Sequence, residues 1–291
     1  MIKRALVIGG SGFVGSHVAD ALSNNGYLVT IFDNKKSKWL KKNQKMILGS
    51  INNKVKVFSA IRKKDYVFNF AAVSDILYAS KNPHETVQVN ISGTINILEG
   101  CKKYKIKRFI QASSIYVNSI EGGYYKCSKK AAEDYIEEFE KKNKVNYTIL
   151  RFGSLYGPRA DKNNGIYKII SSAVAKNKII YYGNIKAARS YIHVEDAAEA
   201  CVKILKKNFI NEYIILTGPK EIKLRYFLHQ LSKKLGIKKV LFLNKKETGH
   251  YVKTPNTFKP KVGIKYNKIK YKNFFNEIIY LTNKLKKNKK I

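Results

Sequence analysis

Ala5-Leu6-Val7-Ile8-Gly9-Gly10-Ser11-Gly12-Phe13-Val14-Gly15-Ser16-His17-Val18 is the stretch on which the fold turns. Its four leading apolar residues read as a buried strand, the glycines break that strand, and apolar residues then recur with helical period from Val14 to Asn24. In a strand-turn-helix of this kind Gly9 permits the tight turn, Gly12 lets a ligand approach the backbone, and Gly15 lets the helix lie close to the strand. The opening turn of such a helix offers unpaired N–H groups and a positive dipole end to a phosphate. The GxxGxxG spacing therefore predicts a pyrophosphate site for a dinucleotide. Phe13 and Val14 fall within the same turn.

Asp33 ends the next strand candidate, about twenty residues further on. A carboxylate there can accept both ribose hydroxyls of NAD and repel the 2′-phosphate of NADP, so NAD is the expected cofactor. Lys35 and Lys36 are the neighbours able to reverse that choice.

Outward from this turn, short β-branched runs alternate with helical-period stretches, the pattern of βαβ units. Strands are expected at Ala5–Ile8, Leu28–Phe32, Tyr66–Phe70, Arg108–Ala112, Tyr147–Phe152 and Tyr213–Leu216. Helices are expected at Val14–Asn24, Val87–Tyr104, Lys126–Lys142, Glu195–Lys206 and Leu224–Leu235. Order loosens after Gly157-Pro158, through Asn163-Asn164-Gly165. The fold class is α/β: a Rossmann-type doubly wound parallel sheet with a smaller C-terminal α/β substrate domain. Residues 1–158 with 194–217 are assigned to the NAD-binding domain, and residues 159–193 with 218–291 to the substrate-binding domain.

Bulk composition bounds the function classes. The 291 residues, 44% hydrophobic, suffice for such a core. No apolar run approaches the length of a membrane span, and the N-terminus passes straight into the first strand, so a cytoplasmic protein is expected. Cys101, Cys127 and Cys201 are scattered, and His17, His84, His193, His229 and His250 are equally dispersed, so reduced thiols and no metal site are expected. The 57 Lys and Arg against 20 Asp and Glu give a formal charge of +37. Lysine is spread over almost every polar face and no nucleic-acid-binding motif accompanies it, so the charge predicts attraction for anionic ligands rather than a nucleic-acid partner.

Tyr125-Lys126-Cys127-Ser128-Lys129 places a phenol and an ammonium four residues apart, on one face of a helix. At an effective dielectric of about 20, one charge at about 4 Å is worth ~4 kcal/mol. That is about three units off a tyrosine pKa near 10, enough to make Tyr125 a base near neutral pH. Ala112-Ser113-Ser114, ending the preceding strand, supplies a hydroxyl donor.

With these motifs in place the chain resembles the extended short-chain dehydrogenase/reductases, the NAD-dependent epimerase/dehydratase family, over nearly its whole length. The resemblance rests on GxxGxxG, Asn69-Phe70-Ala71-Ala72, Val89-Asn90-Ile91-Ser92-Gly93-Thr94, Ser113-Ser114 and YxxxK. It continues through Leu150-Arg151, Tyr156-Gly157-Pro158-Arg159 and Arg189-Ser190-Tyr191-Ile192-His193-Val194-Glu195-Asp196. It implies that Ala71, Ala72 and Val73 line the cofactor groove and that Asn90 braces the strand carrying the serine. It further implies that Ser114 bonds the reacting sugar hydroxyl, Tyr125 is the base, and Lys129 also binds the nicotinamide ribose. Arg189 matches an arginine that grips the substrate diphosphate, whereas His193 and Asp196 cap and pack. Helices Gly93–Tyr104 and Lys126–Lys142, with the stripe Ala131, Ala132, Tyr135, Ile136 and Phe139, imply a homodimer.

The chain also departs from the family pattern. Gly49-Ser50-Ile51 stands where the family carries Gly-Asp, so the adenine contact passes to the Ser50 hydroxyl or is missing. Ser154 stands where a substrate-binding Asn is usual. The loop Ile115–Tyr124 is short, leaving Ser113 and Ser114 both open as the reacting hydroxyl. His250-Tyr251-Val252-Lys253-Thr254-Pro255 replaces an arginine-bearing segment, with Tyr251 as its candidate substrate contact.

The residues after Ser114 narrow the reaction. By resemblance, 4,6-dehydratases carry Asp-Glu there and decarboxylases carry Glu; this chain has Ile115 and Tyr116. What remains needs only Ser, Tyr, Lys and a nicotinamide. The expectation is epimerisation at C4 of a nucleoside-diphosphate sugar through a keto intermediate. A nucleotide-sugar reductase or dehydrogenase, and a regulatory NAD-binding protein without turnover, are the alternatives.

Overall fold

A computed structural model describes residues 2–243. The first half runs β1 (Arg4–Ile8), α1 (Phe13–Asn24), β2 (Leu28–Asp33), β3 (Lys45–Leu48), α2 (Lys54–Ile61), β4 (Tyr66–Asn69), α3 (Ile76–Lys81), α4 (Pro83–Val87), α5 (Gly93–Lys103) and β5 (Arg108–Ser114). There follow α6 (Gly123–Asn143), β6 (Tyr147–Phe152), β7 (Ser154–Tyr156), α7 (Gly165–Lys176), β8 (Ile179–Tyr182), β9 (Ala188–His193), α8 (Val194–Lys203), β10 (Glu212–Leu216), β11 (Glu221–Lys223), α9 (Leu224–Leu235) and β12 (Val240–Leu243).

Seven strands form one parallel sheet in the order β10-β6-β5-β4-β1-β2-β3. The strand order reverses beside β1, and a doubly wound sheet binds its ligand in the crevice at such a switch point. One apolar layer, with Val18, Leu22 and Ala197, covers one face of this sheet; a second, with Val57, Ile97 and Ile136, covers the other. The central strands are accordingly buried on both sides and read as continuous apolar runs.

All six expected strands and four of the five expected helices are present, β6 and α9 with the expected ends and the others shifted. The long helix over Val87–Tyr104 is instead α4, a π-helical turn over Gln88–Ser92, and α5. The looseness expected around Asn163-Asn164-Gly165 is a helix start: the Asn164 side chain accepts a hydrogen bond from the Tyr167 amide and caps α7. The strands not expected are short or polar. β3 is four residues at the sheet edge, opening on Lys45, and β9, Ala-Arg-Ser-Tyr-Ile-His, has no clean alternation.

Away from the main sheet lie two small ones, β11-β9-β7 and β12-β8. They accompany a separate apolar cluster of Ile169, Ala173, Ile179, Leu224 and Leu228. No described helix is long and apolar enough to cross a membrane. No group of three or more metal-ligating side chains occurs among the described residues. Cys101 and Cys201 are buried and Cys127 is exposed, all three as free thiols; burial raises the pKa of the two inner ones.

Candidate active site

A cavity of about 530 Å³ opens at the switch point. Gly9 lies in the left-handed region at φ 76°, and a Cβ there would stand 2.5 Å from the Ala71 amide nitrogen. A Cβ on Gly15 would stand 2.2 Å from the Gly9 carbonyl oxygen, so the first helix can lie this close only with glycine. Gly12 is the N-cap of α1 and carries no side-chain cap. The amides of Phe13, Val14 and Gly15 therefore have no helical acceptor, and these residues line the cavity.

Asp33 lines the same cavity from the end of β2. Its Oδ2 accepts from the Ser11 amide at 3.0 Å and its Oδ1 from the Lys35 amide at 3.0 Å, so two backbone N–H groups orient the carboxylate. Ser50 and Ile51 line the cavity next to it, and Ala71, Ala72 and Val73 wall another side. Unpaired first-turn amides for the pyrophosphate, an oriented ribose acceptor and a glycine floor are a donor set that fits NAD.

Asn90 is 2% exposed within the π turn, and its side-chain hydrogen bonds run to Val73 and Ser128. Its Oδ1 accepts from the Val73 amide at 2.8 Å, while its Nδ2 donates to the Val73 carbonyl at 3.0 Å and to Ser128 Oγ at 2.8 Å. It fastens the groove wall to α6. It is not among the residues lining the cavity.

At the other end of the cavity stand Ser113, Ser114, Tyr125 and Lys129. The Ser114 hydroxyl accepts from the Tyr116 amide at 3.2 Å. The Tyr125 ring meets Tyr116 edge-on, with centroids 6.2 Å apart, and the Lys129 ammonium lies 5.9 Å from its centroid. Lys129 is 4% exposed and donates to the Ala112 carbonyl at 2.9 Å. Burial brings its pKa down to about 8, with the Glu133 carboxylate acting in the opposite sense. Near neutral pH the ammonium is thus charged but close to its titration.

The sequence reading missed Glu133, which is 0% exposed. It accepts from Ser113 Oγ at 2.6 Å and from Arg151 Nε and Nη2 at 3.1 and 2.8 Å. The signal was available, because Glu133 repeats the four-residue spacing of Tyr125 and Lys129. Glu85 was missed as well; it lines the cavity and accepts from the Tyr78 hydroxyl at 2.7 Å.

The substrate candidates are placed differently. The cavity lining includes Gly153 and Leu155 but not Ser154, which pairs with Tyr191. Arg189 sits on β9 paired with Ile222 and donates to the Ala188 carbonyl at 3.1 Å; it too is not among the lining residues. His193 caps α8, its ring accepting from the Glu195 amide. Tyr251 and its segment lie outside the described residues.

A dinucleotide groove that ends on a serine, a tyrosine and a buried lysine defines an enzyme that oxidises or reduces a hydroxyl-bearing carbon with a nicotinamide. The model of the NAD dependent epimerase/dehydratase family matches residues 5–215, and the chain belongs to that family; its cofactor is NAD. The chain is 30% identical to a Methanocaldococcus jannaschii protein provisionally named UDP-glucose 4-epimerase, over 84% of this chain and 86% of that one. It is 31% identical to UDP-N-acetyl-alpha-D-glucosaminuronate decarboxylase of Bacillus cytotoxicus, over 77% of each. The crystal structure of UDP-glucose 4-epimerase from Thermotoga maritima, solved with UDP-glucose, is similar with a TM-score of 0.78. There the identity is 26%, over 86% of this chain and 88% of that one.

Proposed function

We propose that this protein is an NAD-dependent epimerase acting at C4 of a nucleoside-diphosphate sugar, with Ser114, Tyr125 and Lys129 as its catalytic residues. The observation that carries the reading is the content of the cavity wall. Ser114, Tyr125 and Lys129 line one cavity, and the two positions after the hydroxyl are Ile115, which is buried, and Tyr116, so neither carries a carboxyl group that could serve as acid or base in an elimination. The names of the relatives put UDP-sugars first among the candidate substrates.

Bound NAD supplies the two-electron acceptor that later becomes the donor. Tyr125, anionic beside the Lys129 cation, takes the proton of the C4 hydroxyl, while the Ser114 O–H donates a hydrogen bond to the same oxygen. The keto sugar then presents its other face, and Tyr125 returns the proton to the new hydroxyl. No net redox change follows, so NAD stays with the protein through the cycle. Solvent hydrogen does not enter C4.

The remaining assignments belong to the same proposal. Residues 1–158 with 194–217 hold NAD, and residues 159–193 with 218–291 form the substrate domain. The apolar cluster of α7, β8 and α9, separate from those of the main sheet, supports this division. Ser154, Arg189 and Tyr251 serve as substrate contacts, and α5 and α6 form a homodimer face in a cytoplasmic enzyme. The test is to denature the purified protein, identify the released cofactor, and screen UDP-, GDP-, dTDP- and CDP-sugars. Released NAD with interconversion of two C4 epimers supports the proposal. Stoichiometric consumption of added cofactor would replace it with the reductase reading.

A further inference from the structure

Two serines end β5, and the sequence leaves both open as the reacting hydroxyl. Their side chains are not equivalent. Ser113 donates to Glu133 at 2.6 Å, a bond to a fully buried carboxylate, so its proton is committed. Ser114 uses its oxygen to accept from the Tyr116 amide, and a hydroxyl that accepts keeps its O–H as a donor.

Glu133 does more than hold a serine. It takes the Arg151 fork through both carboxylate oxygens, and the Arg151 guanidinium lies 4.3 Å from the centroid of the Tyr213 ring. Tyr213 in turn donates to Glu137 at 2.6 Å. Glu133 is also one helical turn beyond Lys129, on the same face of α6. A buried ammonium needs a counter-charge to stay protonated. The charged groups around Lys129 are Tyr125 and Glu133 on α6, Arg151 on β6, and Glu85 and Asp33 elsewhere on the cavity wall. Among the carboxylates, the buried Glu133 is the one that raises the Lys129 pKa against the effect of burial.

We propose that Glu133 is the positioning residue of this active site: it withdraws Ser113 from the chemistry, leaves Ser114 as the reacting hydroxyl, and supplies the counter-charge that keeps Lys129 cationic. The proposal rests on the epimerase reading. A scaffold-only Glu133 would neutralise Arg151 and nothing more, and the two roles separate by measurement.

The experiment uses the full-length, NAD-loaded protein and the UDP-sugar found by the screen, in four variants. Ser113→Ala retains kcat within about threefold, whereas Ser114→Ala loses about a hundredfold. Glu133→Gln lowers kcat more than it changes KM, and moves the alkaline limb of the kcat profile down by about one pH unit, because Lys129 loses its proton earlier. Glu133→Gln with Arg151→Met removes both charges, which recovers thermal stability and leaves the alkaline limb between those of the parent and of Glu133→Gln, since the lost cation also repelled Lys129. Should Glu133→Gln not fold, this double variant carries the test. A Ser113→Ala loss equal to that of Ser114→Ala overturns the proposal, as does a parental pH profile in the double variant. If no sugar turns over, the epimerase reading fails. NADH binding followed by fluorescence against pH still reports on Lys129: a parental profile in the Glu133 variants then overturns the counter-charge role, and a downward shift upholds it.

Discussion

Asn90 grips Val73 from both sides, accepting from its amide at 2.8 Å and donating to its carbonyl at 3.0 Å. The extra residue of a π turn accompanies this contact, and π turns inside helices commonly mark functional sites. Asn90→Ala leaves both backbone groups of Val73 without their partner. The expected cost is about 2–4 kcal/mol of stability, on the scale of about 1–3 kcal/mol per unsatisfied buried group. Urea denaturation checks the stability loss and calorimetric titration the accompanying fall in NAD affinity. A variant with parental values for both would show that the wall does not depend on this clamp.

Asp33 is held by the amides of Ser11 and Lys35, so its carboxylate is oriented before the ribose arrives. Asp33→Ala should relax the preference for NAD toward NADP, measured as the ratio of the two dissociation constants. Tighter NADP than NAD binding by the parent would assign the choice to Lys35 or Lys36.

Lys129 carries charge at a cost in stability. Its folded pKa, about 8, lies below the ordinary 10.5 because of burial. The unfolded chain therefore binds more protons between those values, and stability rises with pH across that window. Below about pH 8 the cost is fully present, at about 3 kcal/mol from the pKa difference alone. The bond to the Ala112 carbonyl returns about 1 kcal/mol of it. Lys129→Met should thus raise the thermal midpoint of the cofactor-free protein at pH 7, with the gain shrinking as pH approaches 10. The same variant should lose turnover, shift any residual activity toward higher pH, and bind NAD less tightly.

The proposed dimer can be tested at Tyr135. Ala132 and Ile136 are buried within their own chain, while Tyr135 is 46% exposed, so only part of the helical stripe is available to a partner. Light scattering at micromolar concentration should give a dimer for the parent and a monomer for Tyr135→Lys. A monomeric parent would remove the dimer from the account.

Much of the cofactor groove was legible because its chemistry is local. Gly9, Gly12 and Gly15 declare a turn that only glycine tolerates, and Asp33 is fixed by its distance from that turn. Tyr125 and Lys129 were legible for the same reason, lying on one helix at a spacing set by its pitch. Asn90 was legible as a residue, but not its hydrogen bonds to Val73, because that partner is seventeen positions away along the chain. Glu133 was missed because a carboxylate in a helix otherwise rich in Lys and Glu reads as a solvated face, and only the arrival of β5 and β6 buries it. The strands beyond the main sheet were least legible: β7 and β11 are three residues each, and β9 lacks the alternation by which strands are recognised.

The central claim is that Tyr125 is the base in a cavity already built for NAD. Tyr125→Phe removes one oxygen and keeps the ring, including its edge-on contact with Tyr116. The direct measurement is kcat of Tyr125→Phe on the identified nucleotide sugar, with NAD content and thermal midpoint as controls. The account predicts retained NAD, a parental midpoint, and turnover lower by about a hundredfold to ten-thousandfold. A near-parental kcat would contradict it.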